Sequence, residues 1–350
     1  MNIVGLDIGT MNICSAKTSK LKDECVFLSS RNMFIEVDTD LTSIAEIKNT
    51  ELDYISINNG DKDCLYIISE DCLRFSQIFG QTPRRPMSDG VISSTELDGS
   101  IVMKSIIEKM IGKTKDGYCV YSIPAEAVDK PIDIVYHKKL FSRVLKDLGY
   151  ESSSLNEGMG VIFSECENTK YTGIAMSFGC GMTNIAVGYR GLDAFNFSIA
   201  RGGDYIDNNV SKSLGIPVSR ITGIKENKLD LINPTKNSKN RREAIVLEAL
   251  YFYYQELIDH IIKVFLKEFS NKSSNLEIDE DIPIILSGGT CMPNGFDILF
   301  NKVLKENGDF PYGISEIRRA KDPLAAVAMG NLVYALWENK KQETSNSKEK

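Results

Sequence analysis

The chain has 350 residues, 42% of them hydrophobic, enough for one large core or two domains, and its formal net charge is −7. The basic residues are scattered, so the electrostatic footprint of a nucleic-acid binder is absent. The eight cysteines, Cys14, Cys25, Cys64, Cys72, Cys119, Cys166, Cys180 and Cys291, form no Cys-x-x-Cys pair, and His137 and His260 are the only histidines. A zinc site is therefore not expected, and reduced thiols in a cytoplasmic protein fit best.

Residues 2–28 read as a hairpin with further strands. The apolar run Ile3-Val4-Gly5-Leu6 ends in Asp7-Ile8-Gly9-Thr10-Met11-Asn12-Ile13, a glycine turn with a carboxylate beside it. Backbone amides in such a turn bind phosphate oxygens, Gly9 lets a ligand approach closely, and Asp7 can hold magnesium through water. No signal peptide is expected, because the first strand begins at Asn2-Ile3, and no apolar stretch approaches membrane-spanning length. Residues 54–57 and 64–68 form short strands around the turn Asn58-Asn59-Gly60-Asp61. An amphipathic helix follows at 99–111, then a buried strand at 118–124 and a helix from His137 to Leu148 stopped by Gly149. A new strand-rich half is expected after Ser152-Ser153-Ser154.

That half contains a second glycine turn, Ser177-Phe178-Gly179-Cys180-Gly181-Met182-Thr183-Asn184, between two apolar runs. Two such hairpins could grip a polyphosphate from opposite sides. The polar run 233–242 reads as an exposed loop. In the stretch 243–269, Ile245, Leu247, Leu250, Tyr254, Leu257, Ile258, Ile261 and Ile262 supply a wide apolar helical stripe, read as core rather than as a partner groove. A third element, residues 284–292, is a buried strand ending in Ser287-Gly288-Gly289-Thr290, which could admit the flat face of a base or sugar. Both halves share a strand, glycine-turn, strand motif, as a diverged duplication with a cleft between them would.

The order and spacing of these three elements resemble the actin superfamily, especially bacterial actins of the MreB and MamK type. Residues 85–92, Arg85-Pro86-Met87-Ser88-Asp89-Gly90-Val91-Ile92, look like the return from the small outer subdomain of MreB. Arg201-Gly202-Gly203-Asp204 resembles that family's Gly-Gly-Asp segment, residues 322–330 its closing helix, and Ser287-Gly288-Gly289-Thr290 a motif of actin. Residues 30–80 and 215–245 match poorly. The resemblance implies an α/β, actin-like fold, a duplicated ribonuclease H-like pair of domains with the nucleotide between them. The first domain would cover 1–150, with a small outer subdomain at 34–84. The second would cover 151–338, with an outer subdomain at 206–260; a helix at 322–338 would return to the first domain, and 339–350 would be a disordered tail.

By the same resemblance the cleft would bind ATP and magnesium. Gly9, Thr10, Met11 and Asn12 would serve the phosphates from one side, and Gly179, Cys180, Gly181, Met182 and Thr183 from the other. Asp7 would organise the metal's water shell, and Glu157 would orient the attacking water. Gly202, Gly203 and Asp204 would shape the ribose side, Lys225 and Glu226 would lie over the adenosine, and Gly288, Gly289, Thr290 and Met292 would floor the nucleoside pocket. The chain departs from the pattern where Ser177 replaces a metal-organising aspartate, Met182 a threonine and Gly158 a proline. Those departures bear on hydrolysis more than on binding.

The leading expectation is a cytoplasmic actin-like protein that binds ATP, hydrolyses it slowly and polymerises with itself. Direct membrane attachment is not expected, since no room precedes the first strand for the amphipathic segment found in many MreB proteins. A chaperone-type ATPase would need a client-binding domain after the closing helix, and sugar or acetate kinases would need a substrate pocket in long insertions. A non-hydrolysing regulatory or scaffold member stays open because of Ser177.

Overall fold

Short apolar runs buried on both faces set the centre of each half, as strands flanked by helices require. In this computed structural model the described residues are all but 19–24, 38–46, 48–50, 59–62, 273–277, 279, 309, 311 and 349–350. The first half runs β1 (Asn2–Ile8), β2 (Asn12–Thr18), β3 (Cys25–Arg31), β4 (Phe34–Val37), β5 (Tyr54–Asn58), β6 (Asp63–Ile68), α1 (Asp71–Phe79), β7 (Met87–Ser88), β8 (Val91–Ile92), α2 (Gly99–Ile111), β9 (Gly117–Ile123), α3 (Ile134–Asp147) and β10 (Tyr150–Asn156). The second runs α4 (Glu157–Glu165), β11 (Gly173–Phe178), β12 (Thr183–Tyr189), β13 (Leu192–Ile199), α5 (Gly203–Leu214), α6 (Val218–Lys228), α7 (Arg241–Lys272), β14 (Ile282–Ser287), α8 (Phe296–Glu306), β15 (Ile314–Arg319) and α9 (Ala326–Lys348).

The two main sheets repeat one topology. In the first, β3, β2 and β1 form an antiparallel meander continued by β9 and β10 in parallel; in the second, β13, β12 and β11 do the same and β14 and β15 follow in parallel. All six residues of β14 are buried, and Pro283 is accommodated where the pairing with β15 shifts register between Ile282 and Ile284. A third sheet, β4-β6-β5, packs with α1 around Ile35, Leu65, Ile67 and Phe75 as the small outer part of the first half.

Helices α4 and α9 fill the layer between the two main sheets. Helix α9 contacts β1, β2 and β9 of the first half and lies along α4, while α4 rests on β11 and β12. Their contact is glycine-lined: a Cβ on Gly330 would overlap the Gly160 carbonyl, and one on Gly158 would stand 2.6 Å from the Ala186 Cβ. Gly158 therefore has a packing reason, since a proline there would drive its ring into β12 and remove the amide that Asn156 caps at 2.9 Å. Outside the second sheet, α7 buries Leu247, Leu250, Tyr254, Leu257, Ile258, Ile261 and Ile262 in the core, as its periodicity predicts. Ile245 is the exception, 44% exposed in the first turns of the helix.

Three expectations change. The serine run does not separate the halves: Ser152, Ser153 and Ser154 lie within β10, which completes the first sheet by pairing with β9. The hydroxyl of Ser153 donates to Glu338 of α9 at 2.9 Å, giving a polar residue a role inside a strand. The stretch 339–348 continues α9: Lys340, Lys341, Gln342 and Glu343 are good helix formers, and extending a helix already nucleated costs far less than starting one. The third helix begins at Ile134, capped by Asp133, whose carboxylate accepts the Tyr136 amide. Residues 59–61 of the expected turn at 58–61 fall outside the described residues.

Candidate functional site

Sheet register makes the two glycine hairpins equivalent residue by residue. Ile8 pairs with Ile13 around the turn 9–12, and Phe178 pairs with Thr183 around 179–182. In both, the first glycine amide donates across the turn at 2.9 Å, Gly9 to the Asn12 carbonyl and Gly179 to that of Met182. A Cβ at either glycine would crowd that same carbonyl, at 2.7 and 2.9 Å, so the turns need glycine for closure. The tips meet: a Cβ at Gly181 would fall 3.0 Å from Thr10 Oγ1 and 2.7 Å from the Gly90 nitrogen, whose N–H donates to Thr10 Oγ1 at 3.2 Å.

Between the hairpins lies a cavity of about 120 Å³ lined by Asp7, Gly9 to Asn12, Glu157, Ser177 and Gly179 to Met182, with Lys225, Glu226 and Gly288 to Thr290 on its outer side. A second chamber of about 570 Å³ adjoins it, lined among others by Lys225, Glu226, Tyr254, Gly289 and Met292. Met292 itself is 49% exposed and belongs to this outer chamber.

The inner cavity carries Asp7 and Glu157, while the two basic residues that line it, Arg31 and Lys225, are paired with Glu226 and Asp207. Burial raises Asp7 to about 6, opposed by the Ser122 hydroxyl, which donates to Asp7 Oδ1 at 2.7 Å. Burial, then the neighbouring charge of Asp7, raises Glu157 to about 8, and the Ser177 hydroxyl donates to Glu157 at 3.5 Å. Two carboxyls facing one space resist ionising together, and a divalent cation would relieve both. By register Ser177 is the counterpart of Asp7, and Ser287 of Ser122. One half of the duplication thus carries a hydroxyl where the other carries a carboxylate. Asn184, fully buried beside Ser177, accepts the Ala125 amide through Oδ1 at 3.0 Å, and its side chain neighbours Glu157 and opposes the rise of that carboxyl.

Several expected site residues act as bracing. Gly203 and Asp204 donate their amides to the Gly179 and Cys180 carbonyls at 3.0 and 2.8 Å, so the start of α5 grips the second hairpin. The Asp204 carboxylate is taken by Arg85 at 2.9 Å and by the Cys180 thiol at 3.1 Å. A Cβ on Gly202 would collide with that hairpin's backbone. Thr183 does not reach the cavity: it is fully buried, and its hydroxyl donates to the Arg201 carbonyl at 2.9 Å. It occupies the first strand position after the turn, where the side chain turns into the sheet. Met182 packs its thioether onto Gly90. The Lys225 ammonium is held by buried Asp207 at 2.8 Å, and Thr222 donates to the same oxygen at 2.7 Å. Thr290 Oγ1 donates to the Gly179 carbonyl at 2.8 Å, joining the third motif to the second hairpin. Arg31, Ser122, Asn184 and Asp207 escaped the sequence reading; only Asn184, next in line after the second glycine turn, offered a local signal.

A family profile described as Volactin matches residues 1–335. The chain belongs to the Volactin family. Its resemblance to the MreB and MamK type holds at the level of the fold. This Volactin-family chain superposes on a MamK double helical filament subunit with a TM-score of 0.71 at 15% identity, over 95% of this chain and 98% of that one. MreB5 of Spiroplasma citri bound to ADP gives 0.66 at 15% identity over 98% of both chains. The ethanolamine utilization protein EutJ from Carboxydothermus hydrogenoformans gives 0.55 at 14% identity, over 95% of this chain and 90% of that one. No curated protein matches the Volactin-family chain by sequence. Among the described residues no helix is long and apolar enough to cross a membrane, and no cluster of three or more His, Cys, Asp or Glu could hold a metal by itself.

Proposed function

We propose that the cleft binds ATP with magnesium and that the chain is a cytoplasmic cytoskeletal protein that assembles with itself into filaments, hydrolysing ATP slowly. The twin hairpins, closed by the same amide-to-carbonyl bond and meeting at their tips, carry this reading. With the Gly9 and Gly179 amides spent on closing the turns, those of Thr10 to Asn12 and of Cys180 to Met182 are the donors a polyphosphate would accept from, and a Cβ at Gly9 or Gly179 would spoil either turn. The raised carboxyls fit a cation: Asp7 would hold magnesium through water, and bound magnesium would supply charge neutralisation for the phosphates. Lys225, Glu226, Gly288, Gly289, Thr290 and Met292 bound the space on the nucleoside side.

Glu157, at the first position of α4, would orient the attacking water, with the Asn184 side chain and the Ser177 hydroxyl steadying its carboxyl. Related folds support the nucleotide and the filament: MreB5 of Spiroplasma citri is bound to ADP in one structure and to AMPPNP in another, and MamK forms a double helical filament. Head-to-tail stacking of one subunit on the next does not close into a ring. Nucleotide favours the stackable shape only to the extent that it binds that shape more tightly.

A second reading, a nucleotide-binding scaffold that does not hydrolyse, is favoured by one observation: Ser177 stands at the register position of Asp7 and leaves the second hairpin without that carboxylate. Sedimentation with and without Mg-ATP, followed by electron microscopy of the pellet, separates the outcomes. Linear polymer that needs ATP and slowly releases phosphate supports the first reading. Polymer with bound, unhydrolysed ATP supports the second, and a monomer under all conditions refutes assembly.

A further inference from the structure

Among the described residues two ion pairs join the halves, and they sit at different depths. Arg85 with Asp204 lies beside the second hairpin. Arg31 with Glu226 spans the mouth: the guanidinium meets the carboxylate through two nitrogens, at 3.2 and 2.9 Å, across 195 residues of sequence. Arg31 ends β3 opposite Asn12 of the first hairpin, and its amide is fixed by Glu70 at 3.1 Å. Glu226 follows Lys225, which Asp207 anchors at 2.8 Å. Both ends of the pair are thus held, and both residues line the inner cavity and the outer chamber. At the far end the halves are joined by backbone bonds, Ser198 to the Glu126 carbonyl at 2.9 Å and Val128 to the Ser198 carbonyl at 3.0 Å. That end resists parting, whereas the mouth depends on side chains that are 23% and 40% exposed.

We infer that the Arg31–Glu226 pair is a clasp across the mouth of the cleft that sets how fast nucleotide leaves. The inference rests on the nucleotide reading above. Because the two residues border both chambers, a nucleotide with its phosphates between the hairpins leaves only after the halves swing apart and the pair breaks. A two-point arginine–carboxylate contact is stronger than a single-point one, yet its partial exposure keeps it breakable and open to screening by salt.

Stopped-flow displacement of a fluorescent ATP analogue by excess ATP, on the full chain with magnesium, tests this. Arg31→Ala and Glu226→Ala are each expected to quicken release roughly fivefold, and the double variant no more than either, as one shared contact requires. The exchanged pair, Arg31→Glu with Glu226→Arg, should bring release back toward the wild-type rate. High salt should quicken the wild type and leave the single variants unchanged. Single variants that release at the wild-type rate, or a double variant whose acceleration is the product of the two, would overturn the clasp and leave the nucleotide reading standing. A wild type that takes up no analogue overturns both.

Discussion

Glu157→Gln should stabilise the ligand-free protein at alkaline pH and leave it unchanged at acid pH. The folded chain holds the Glu157 proton up to about 8, whereas an ordinary glutamate releases it near 4.5. Between those values the folded state binds more protons than the unfolded one, so this carboxyl's contribution to stability falls as pH rises through the window. Moving a carboxyl from 4.5 to about 8 disfavours its ionised form by at most about 5 kcal/mol. The group lines a cleft that water reaches, which trims the usable difference to about 2 kcal/mol. Glutamine keeps the shape and cannot ionise. Urea unfolding followed by the fluorescence of Trp337, the single tryptophan, gives both free energies. The variant should match the wild type at about pH 5 and exceed it by about 2 kcal/mol at about pH 9. An equal offset at both pH values, or a wild type destabilised less than the variant on going alkaline, would refute the buried-carboxyl argument.

Three further outcomes follow from the same cavity and its supports. Asp7→Ala should abolish the magnesium-dependent part of the rise in melting temperature given by ATP, and retention of the full rise would remove Asp7 from the metal's neighbourhood. Ser177→Asp should speed phosphate release by placing a carboxylate on the second hairpin's strand, while lowering ligand-free stability at neutral pH because a third acid joins Asp7 and Glu157; an unchanged rate would show that the serine does not limit hydrolysis. Gly330→Ala should cost more than about 3 kcal/mol, since its Cβ overlaps the Gly160 carbonyl, whereas Gly160→Ala, 3.0 Å from Asn331 Oδ1, should cost under about 1.5 kcal/mol. Equal urea midpoints for those two variants would contradict the helix contact described here.

The hairpins were legible because a phosphate turn leaves a local trace, an apolar run broken by glycine, and the α7 stripe because burial imposes a period. What escaped depends on partners distant in sequence. Ser152 to Ser154 were read as the point after which the second half begins, because a polar run gives no local sign of a strand, but pairing with β9 and the Glu338 contact place it inside β10. Thr183 seemed part of the site by adjacency, and only the strand alternation after the turn shows its hydroxyl spent on Arg201. Arg31 carries no local signal and Glu226 was singled out only by resemblance, in stretches that match bacterial actins poorly, and nothing short of the fold brings the two together as a pair.

The buried bond from Asn331 Nδ2 to the Leu6 carbonyl, 2.8 Å long, joins residues 325 positions apart. Helix α9 also covers Cys14 and Ala16 with Ala328 and Leu332. During synthesis, then, one apolar face of the first sheet stands bare while the whole second half is being made. Pairings so far apart are slow to form, and a sheet waiting that long for its cover is open to wrong partners, other nascent copies included. The first half is not a module that matures early and waits. Its completion waits for the residues around 331, which couples the yield of folded protein to events there as strongly as to any residue of the cleft.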